Sequence, residues 1–183
     1  MIYIVIAAIV ILILLVVLII HSYKTDNTII EFHKKIDTSY EQINGEMHSR
    51  AKLVEQLINA LEPMVRYDDD LEKRFKNLKK SLEKYYTSGT RGYQVDAHSE
   101  ITKSLNEFTK LLDNINDEQL SDSIKSLIHE IQRSDERINF SKNIYNNLVQ
   151  NYNLYISKFL NKRVAKMFKY GPIKKLGEKD EDK

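Results

Sequence analysis

The chain is poor in residues that crosslink a fold or interrupt a helix. Of its 183 residues none is Cys and none is Trp, while two are Pro and five are Gly. Without Cys there is no disulfide framework, no thiolate nucleophile and no Cys-based zinc site. Few Pro and Gly leave few tight turns, and the abundant Leu, Ile, Lys, Glu and Asn suit long helices. The composition predicts an all-α protein.

Neither sign of charge dominates. Lys and Arg number 28 against 26 Asp and Glu, which gives a formal net charge of +2. No global field therefore attracts nucleic acid, and any electrostatic partner has to be bound by a local patch. The five His are scattered, and the acidic run 68–70 is explained by the dipole of a helix start. We expect no metal and no other cofactor.

Sequence signs of catalysis are equally scarce. The stretch 87–92 contains two Gly but lacks the Lys-Ser/Thr ending and the preceding strand of a phosphate-binding loop. Ser, His and acidic residues occur, but nothing indicates a preorganised catalytic triad. We expect a protein that is not an enzyme.

The longest apolar run lies at the N-terminus. No charged residue occurs from Ile2 to Ile20, and as a helix this run would be about 29 Å long, the thickness of a hydrocarbon core. A basic segment before the run and a small-x-small site after it, which a cleaved signal peptide would have, are both missing. We expect residues 1–22 to be an uncleaved transmembrane anchor. Lys24, Lys34 and Lys35 follow the run, so the positive-inside rule favours a cytoplasmic domain.

Beyond the anchor, apolar residues recur at alternating steps of three and four, which predicts a helix over about 26–62. The residues at this spacing form one apolar stripe along the helix, which we call the seam. His33 and Arg50 are its polar exceptions. Pro63 follows, although the same spacing continues through Tyr85. Either the chain reverses near Pro63 and closes a four-helix bundle, or residues 26–86 form one rod of about 90 Å. Burial of the seams favours the reversal.

Further helices are predicted after a loop at 87–92 and a polar break at 113–118. The third helix covers about 95–112, and the last is long and ends before Gly171. The predicted organisation is an anchor over 1–22, an antiparallel helical bundle over 23–170 and a charged tail over 171–183. The tail is expected to be disordered, since its final part, 178–183, has no apolar residue.

Two blocks of the sequence carry a family resemblance. The first reads IDTSYEQIN over 36–44 and continues to LVEQLI over 53–58; the second reads SDERI over 134–138 and YNNLVQNYNLYISKF over 145–159. They resemble the LemA family of bacterial membrane-anchored helical proteins, with Tyr40 at a usual Trp, and with Glu55 and Leu160 at two usual Pro positions. The residues that carry the resemblance are Tyr40, Gln42, Ile43, Arg137, Ile138, Tyr145, Asn146, Tyr152, Asn153 and Phe159. The resemblance implies a bromodomain-like four-helix core and no established enzymatic activity.

The paired Tyr-Asn dipeptides leave two readings open. Tyr145 and Tyr152 are seven residues apart and therefore share one side of the last helix. Tyrosines in such a seam are more often core residues than partner contacts, although a partner-binding surface is the alternative.

A basic segment near the C-terminus suggests contact with lipid. Six cations without an acid lie among apolar residues in this segment: Lys162, Arg163, Lys166, Lys169, Lys174 and Lys175. This pattern suits an anionic lipid surface, while a plain solvated helix end and a nucleic-acid patch are the alternatives.

The sequence as a whole predicts a membrane-anchored helical interaction or scaffold protein of a bacterial cell membrane. Expected partners are membrane lipid and another membrane or envelope protein, with no nucleic acid and with self-association open. The alternative function is binding to lipid surfaces or self-association that organises the membrane.

Overall fold

The computed structural model describes residues 1–65, 69–89, 91–112 and 121–177. In these ranges the chain forms five α-helices and no strand, so the predicted all-α class is confirmed. The helices are α1 Ile2–Val65, α2 Asp69–Thr87, α3 Arg91–Leu112, α4 Asp122–Ser157 and α5 Phe159–Met167.

The chain divides into two compact units. Unit 1 contains Met1–Tyr40 and Ile144–Lys175, and unit 2 contains Glu41–Asn143 and Leu176–Lys183. The long helices α1 and α4 each contribute to both units.

Helix α1 begins with the apolar run. Every side chain from residue 2 to residue 20 is exposed, and the helix is long and apolar enough to cross a membrane. The helix continues without interruption to Val65, whereas the seam alone predicted a start near residue 26. The predicted candidate span is therefore present as the first part of a longer helix.

In unit 1 the seam of α1 packs against α4. Ile29, Ile36 and Tyr40 are buried on α1. The ring of Tyr40 meets that of Tyr145 at 6.2 Å between centroids, and the ring of His33 meets that of Tyr152 at 4.9 Å. From His33 to Tyr40 along α1, the contacted residue on α4 moves back from Tyr152 to Tyr145. The two helices are therefore antiparallel in this unit.

In unit 2 the chain doubles back after α1. Pro63 lies inside α1, and residues 66–68 lie outside the described part of the chain. Lys79 of α2 forms a 2.7 Å ion pair with Glu62, and the hydroxyl of Tyr86 donates to Glu55 at 3.2 Å. These pairs make α2 antiparallel to the end of α1. The unbroken rod is therefore wrong, and the reversal follows Pro63 by a few residues.

Helices α2 and α3 form the second antiparallel pair of unit 2. The rings of Phe75 and Phe108 lie 5.8 Å apart, and Lys84 pairs with Glu100 nearer the other end. Helix α3 begins at Arg91, so the predicted loop at 87–92 and the predicted start at 95 both need correction. Asp69 and Asp70 lie in the first turn of α2, where carboxylates are favourable, while Asp68 lies outside the described residues. The polar break predicted at 113–118 also lies outside them.

Candidate membrane-proximal surface

Helix α4 ends earlier than the sequence predicted. A single helix was expected to run almost to Gly171, but Lys158 adopts an extended conformation with φ −61° and ψ 141°, and α5 starts after it. The side-chain amide of Asn161 donates to the carbonyl oxygen of Tyr155 at 3.1 Å and satisfies one of the open carbonyls at the end of α4. The usual family Pro at position 160 would lie in the first turn of α5, where Pro is tolerated. The helix break is present here with Leu160 in that place.

Helix α5 lies beside the part of α1 that follows the apolar run. Its buried face consists of Asn161, Val164 and Ala165. The hydroxyl of Thr25 donates to Oδ1 of Asn161 at 3.4 Å, and the hydroxyl of Tyr170 donates to Oδ1 of Asp26 at 3.0 Å. The basic segment is therefore held a few residues beyond the end of the candidate span.

The six predicted cations form what we call the basic surface. Five of them are exposed, and Lys175 is half-buried, with its Nζ donating to Gln150 at 3.1 Å. Arg163 stacks over the ring of Phe159 at 4.8 Å from the centroid. The basic surface comprises Lys162, Arg163 and Lys166 on α5, and Lys169, Lys174 and Lys175 after it.

Lys169 has an unusual backbone conformation. Its φ is +61°, in the left-handed region where Gly is normally found after a helix. The amide of Tyr170 donates to the carbonyl oxygen of Ala165 at 2.8 Å, which closes the end of α5 in the manner of a Schellman motif. A side chain at this position adds strain to the turn.

Large apolar side chains lie among these cations. Phe159 is 72% exposed, and Leu160, Met167 and Phe168 are also exposed. Phe159 follows Tyr145 and Tyr152 at the same seven-residue spacing, which predicts that it is buried. That prediction is wrong, because the break at Lys158 ends the seam. Arg163 and Lys166 thus share the outer side of α5 with apolar residues.

The second Tyr-Asn dipeptide fastens the chain that follows α5. Tyr152 is fully buried, and its hydroxyl donates to the carbonyl oxygen of Gly171 at 2.8 Å. Burial raises the pKa of this phenol further above neutral pH. Asn153 donates to the carbonyl oxygen of Ile173 at 2.8 Å and accepts from its amide at 3.0 Å. Three residues after the predicted boundary at residue 170, namely Gly171, Ile173 and Lys175, are thus hydrogen-bonded to α4. Residues 178–183 lie outside the described part.

The other family-motif residues lie in structural positions or on the surface. Tyr145 is buried with its ring edge against Tyr40, and Asn146 is half-buried. In unit 2, Ile43 and Ile138 are buried, and Nε of Arg137 contacts a carboxylate oxygen of Glu46 at 3.2 Å. Gln42 is exposed.

A buried charged cluster in unit 2 was not predicted from the sequence. Arg50 is only 2% exposed and is one of the largest fully buried side chains. One terminal nitrogen contacts Nε2 of His98 at 3.1 Å and donates to the hydroxyl of Thr102 at 2.7 Å. The other contacts Oδ1 of Asp135 at 3.3 Å, while Nε has no hydrogen-bond partner among the described residues. We call these four residues the Arg50 cluster.

The cluster keeps His98 neutral. Arginine can only donate, so Nε2 of His98 has to accept and the ring proton has to lie on Nδ1. Burial, followed by the charges of Arg50 and Lys142, lowers the pKa of His98 to about 3. Burial also lowers the pKa of Arg50, although Asp135 opposes this shift.

One sequence signal could have pointed to this cluster. Arg50 occupies a seam position where the pattern requires an apolar residue. A cation there needs polar partners when it is buried. His98 and Asp135 come from α3 and α4, and no spacing along the chain links either of them to Arg50.

Comparison with known proteins places the chain in a family. No curated protein matches the sequence. The model of the LemA family matches residues 39–183, which is well over half of the chain. This range contains all of the first sequence block except residues 36–38, the whole of the second block, the Arg50 cluster and the basic surface. Because this match covers most of the chain, the protein belongs to the LemA family.

Proposed function

We propose that this LemA-family protein is a membrane-tethered helical scaffold without catalytic activity. Its N-terminal helix crosses the cell membrane of a bacterium, and its basic surface rests on the anionic lipids of that same membrane. The remaining faces of the helical domain bind another membrane or envelope protein. An up-and-down four-helix bundle, supported by the antiparallel pairs within each unit, is the proposed arrangement of the domain.

One observation carries the lipid part of this proposal. Thr25 and Asp26 follow the apolar run by five or six positions. They contact Asn161, directly before the basic surface, and Tyr170, within it. At 1.5 Å per residue this offset is about 8 Å, comparable with the thickness of one headgroup layer. Each cation near an anionic leaflet contributes about 1 kcal/mol of attraction at physiological ionic strength. The cytoplasmic leaflet carries a negative surface potential, so the proposed contact agrees with the cytoplasmic domain that Lys24, Lys34 and Lys35 favour.

The rival reading of the basic surface, binding of nucleic acid, has less support. A short helix with three cations carries no recognisable motif for reading bases. The same helix lies next to the candidate membrane span, where phosphate groups of lipids are the nearest anions.

A spin label tests the lipid contact in the full-length protein. The chain has no Cys, so Lys166→Cys provides one labelling site, and Lys80→Cys on α2 provides an exposed control in unit 2. In bilayers rich in phosphatidylglycerol the label at 166 should be immobilised and shielded from an aqueous relaxation agent. The shielding should weaken in phosphatidylcholine or in high salt, while the control should not change. Equal shielding at both positions under all conditions would disprove the contact.

The scaffold part of the proposal concerns partners. Crosslinking the intact protein in its native membrane, followed by affinity purification, should recover a specific membrane or envelope protein. Recovery of only the chain itself would favour self-association, and turnover of a substrate by the purified protein would disprove the scaffold role.

A further inference from the structure

The exposed face of α5 combines two kinds of side chain that soluble surfaces usually separate. Phe159, Leu160 and Met167 are exposed on the helix, and Phe168 is exposed directly after it. Between these positions lie three exposed cations, Lys162, Arg163 and Lys166. Clustered large apolar side chains on a soluble protein are unfavourable unless another phase or surface covers them.

The remaining face of α5 is already occupied. Asn161, Val164 and Ala165 are buried, and Asn161 contacts Thr25 of α1. The helix is therefore fixed to α1 through one side and presents its apolar and basic side outward. Helices of this kind, with cations beside aromatic and aliphatic residues, lie in the headgroup region of a bilayer with the apolar side chains entering the acyl boundary.

The position of α5 identifies lipid as the covering phase. The apolar run ends at Ile20, and Thr25 lies about 8 Å further along α1, within the depth of a headgroup layer. No Asp or Glu occurs from residue 159 to residue 175, so nothing on this segment repels lipid phosphate. Arg163, stacked over Phe159, can bind phosphate with its outer nitrogens while the ring points toward the acyl chains.

We propose that α5 is a second membrane anchor, in which Phe159, Leu160, Met167 and Phe168 enter the bilayer that α1 crosses. This inference rests on the proposed function and goes beyond it, since contact through cations alone needs no insertion. Two attachments on one bilayer fix the rotation of α1 about its own axis. The faces of the domain then have a constant orientation toward a partner in the membrane.

The lack of Trp in the chain makes the insertion measurable. Phe159→Trp and Phe168→Trp each introduce a single Trp on α5, and Phe140→Trp introduces one at a position of unit 2 that is 68% exposed. The three full-length variants are reconstituted in vesicles of phosphatidylcholine and phosphatidylglycerol, with and without bromine on the acyl chains. Excitation at long wavelength selects Trp over the Tyr residues of the chain.

The expected result separates α5 from the control. Trp at 159 and at 168 should emit at short wavelength and lose about half of its intensity or more to acyl-chain bromine, as residues near the acyl boundary do. Trp at 140 should emit as in water and be unaffected by bromine. Aqueous emission at 159 and 168 would overturn the insertion. Short-wavelength emission without bromine quenching would also overturn it, since a second copy or a protein partner would then cover α5.

Failure of the insertion and failure of the lipid contact have different signatures. If Trp at 159 and 168 stays in water while the label at 166 still responds to anionic lipid and salt, only the insertion is wrong. If Trp inserts equally in vesicles with and without phosphatidylglycerol and the label ignores salt, the second anchor stands and the electrostatic contact is wrong.

Discussion

The basic surface of unit 1 and the Arg50 cluster of unit 2 place cations in opposite surroundings. Around Lys166 the charges are exposed, and they have no acidic neighbour between residues 159 and 175. Arg50 is buried and bound by groups from α3 and α4. Exposed charges contribute little to folding and can serve a partner, whereas a buried charge is costly unless its partners are in place. We therefore propose lipid binding for the basic surface and a role in fold stability for the Arg50 cluster.

The largest effect is expected from removing the buried charge. Arg50→Met should lower the free energy of unfolding by about 3 kcal/mol, because His98, Thr102 and Asp135 lose their shared donor. The matched change Lys166→Met on the basic surface should alter it by less than about 0.5 kcal/mol. Urea denaturation of both variants in the same detergent, monitored by circular dichroism, measures the difference in their free energies of unfolding. If the two variants had similar stabilities, the Arg50 cluster would contribute no more to folding than the basic surface does.

The buried tyrosines of unit 1 test whether this unit also has a rigid core beneath its surface. Tyr145→Ala and Tyr152→Ala should each cost about 2–4 kcal/mol, the usual effect of deleting a large core side chain. Tyr152→Phe should cost about 1 kcal/mol, since it removes only the hydrogen bond to Gly171. Thermal denaturation provides the values. An alanine variant of full stability that loses a protein partner would assign that tyrosine to an interface instead.

The neutral His98 gives unit 2 a pH dependence that the basic surface does not share. The folded pKa of about 3 lies below the unfolded value of 6.5, so acid favours the unfolded state between these values. Lowering the pH from 7 to 5 should therefore reduce the free energy of unfolding by about 2 kcal/mol through this residue. His98→Gln should remove that contribution, while a Gln at the exposed His129 serves as the control. An unchanged pH slope in the His98 variant would show that His98 is accessible to protons.

The smallest effect is expected at Lys169, where one substitution should stabilise the fold and weaken the contact of the basic surface with lipid. Lys169→Gly should raise the free energy of unfolding by about 0.5–1 kcal/mol, because glycine adopts the left-handed conformation without strain. The same change removes one cation and should weaken the shielding of a label at position 166 in anionic bilayers. Lys169→Gln is the control that removes the charge and keeps the strain. A loss of stability in the glycine variant would indicate that the lysine side chain supports the turn.

Helical class, candidate span and most of the core could be predicted because they depend on local pattern. The run from Ile2 to Ile20 is recognisable by length and composition alone. Seam residues such as Ile36 and Leu57 recur at helical spacing and are buried as expected. Neither property requires knowledge of what packs against the helix.

Other features depended on contacts between distant parts of the chain. The helical spacing of apolar residues continues through Pro63 and gives no sign of a turn. Only the contacts of Glu55 and Glu62 with α2 establish that the chain turns back after Val65. Phe159 fitted the periodic pattern of the last helix, yet the break at Lys158 exposes it. A periodic pattern reports which face of a helix is apolar, but it cannot report whether the helix continues.

A helical chain with an apolar span and a basic segment near its C-terminus can be inferred from the amino-acid sequence alone, since length, period and charge are properties of neighbouring residues. Tertiary structure decided that the basic segment lies beside the end of the span and that Arg50 is buried. Both outcomes require a particular pairing, Thr25 with Asn161 in one unit and Arg50 with His98 and Asp135 in the other. Such pairings arise from the packing of whole helices, and the spacing along any one helix does not encode them.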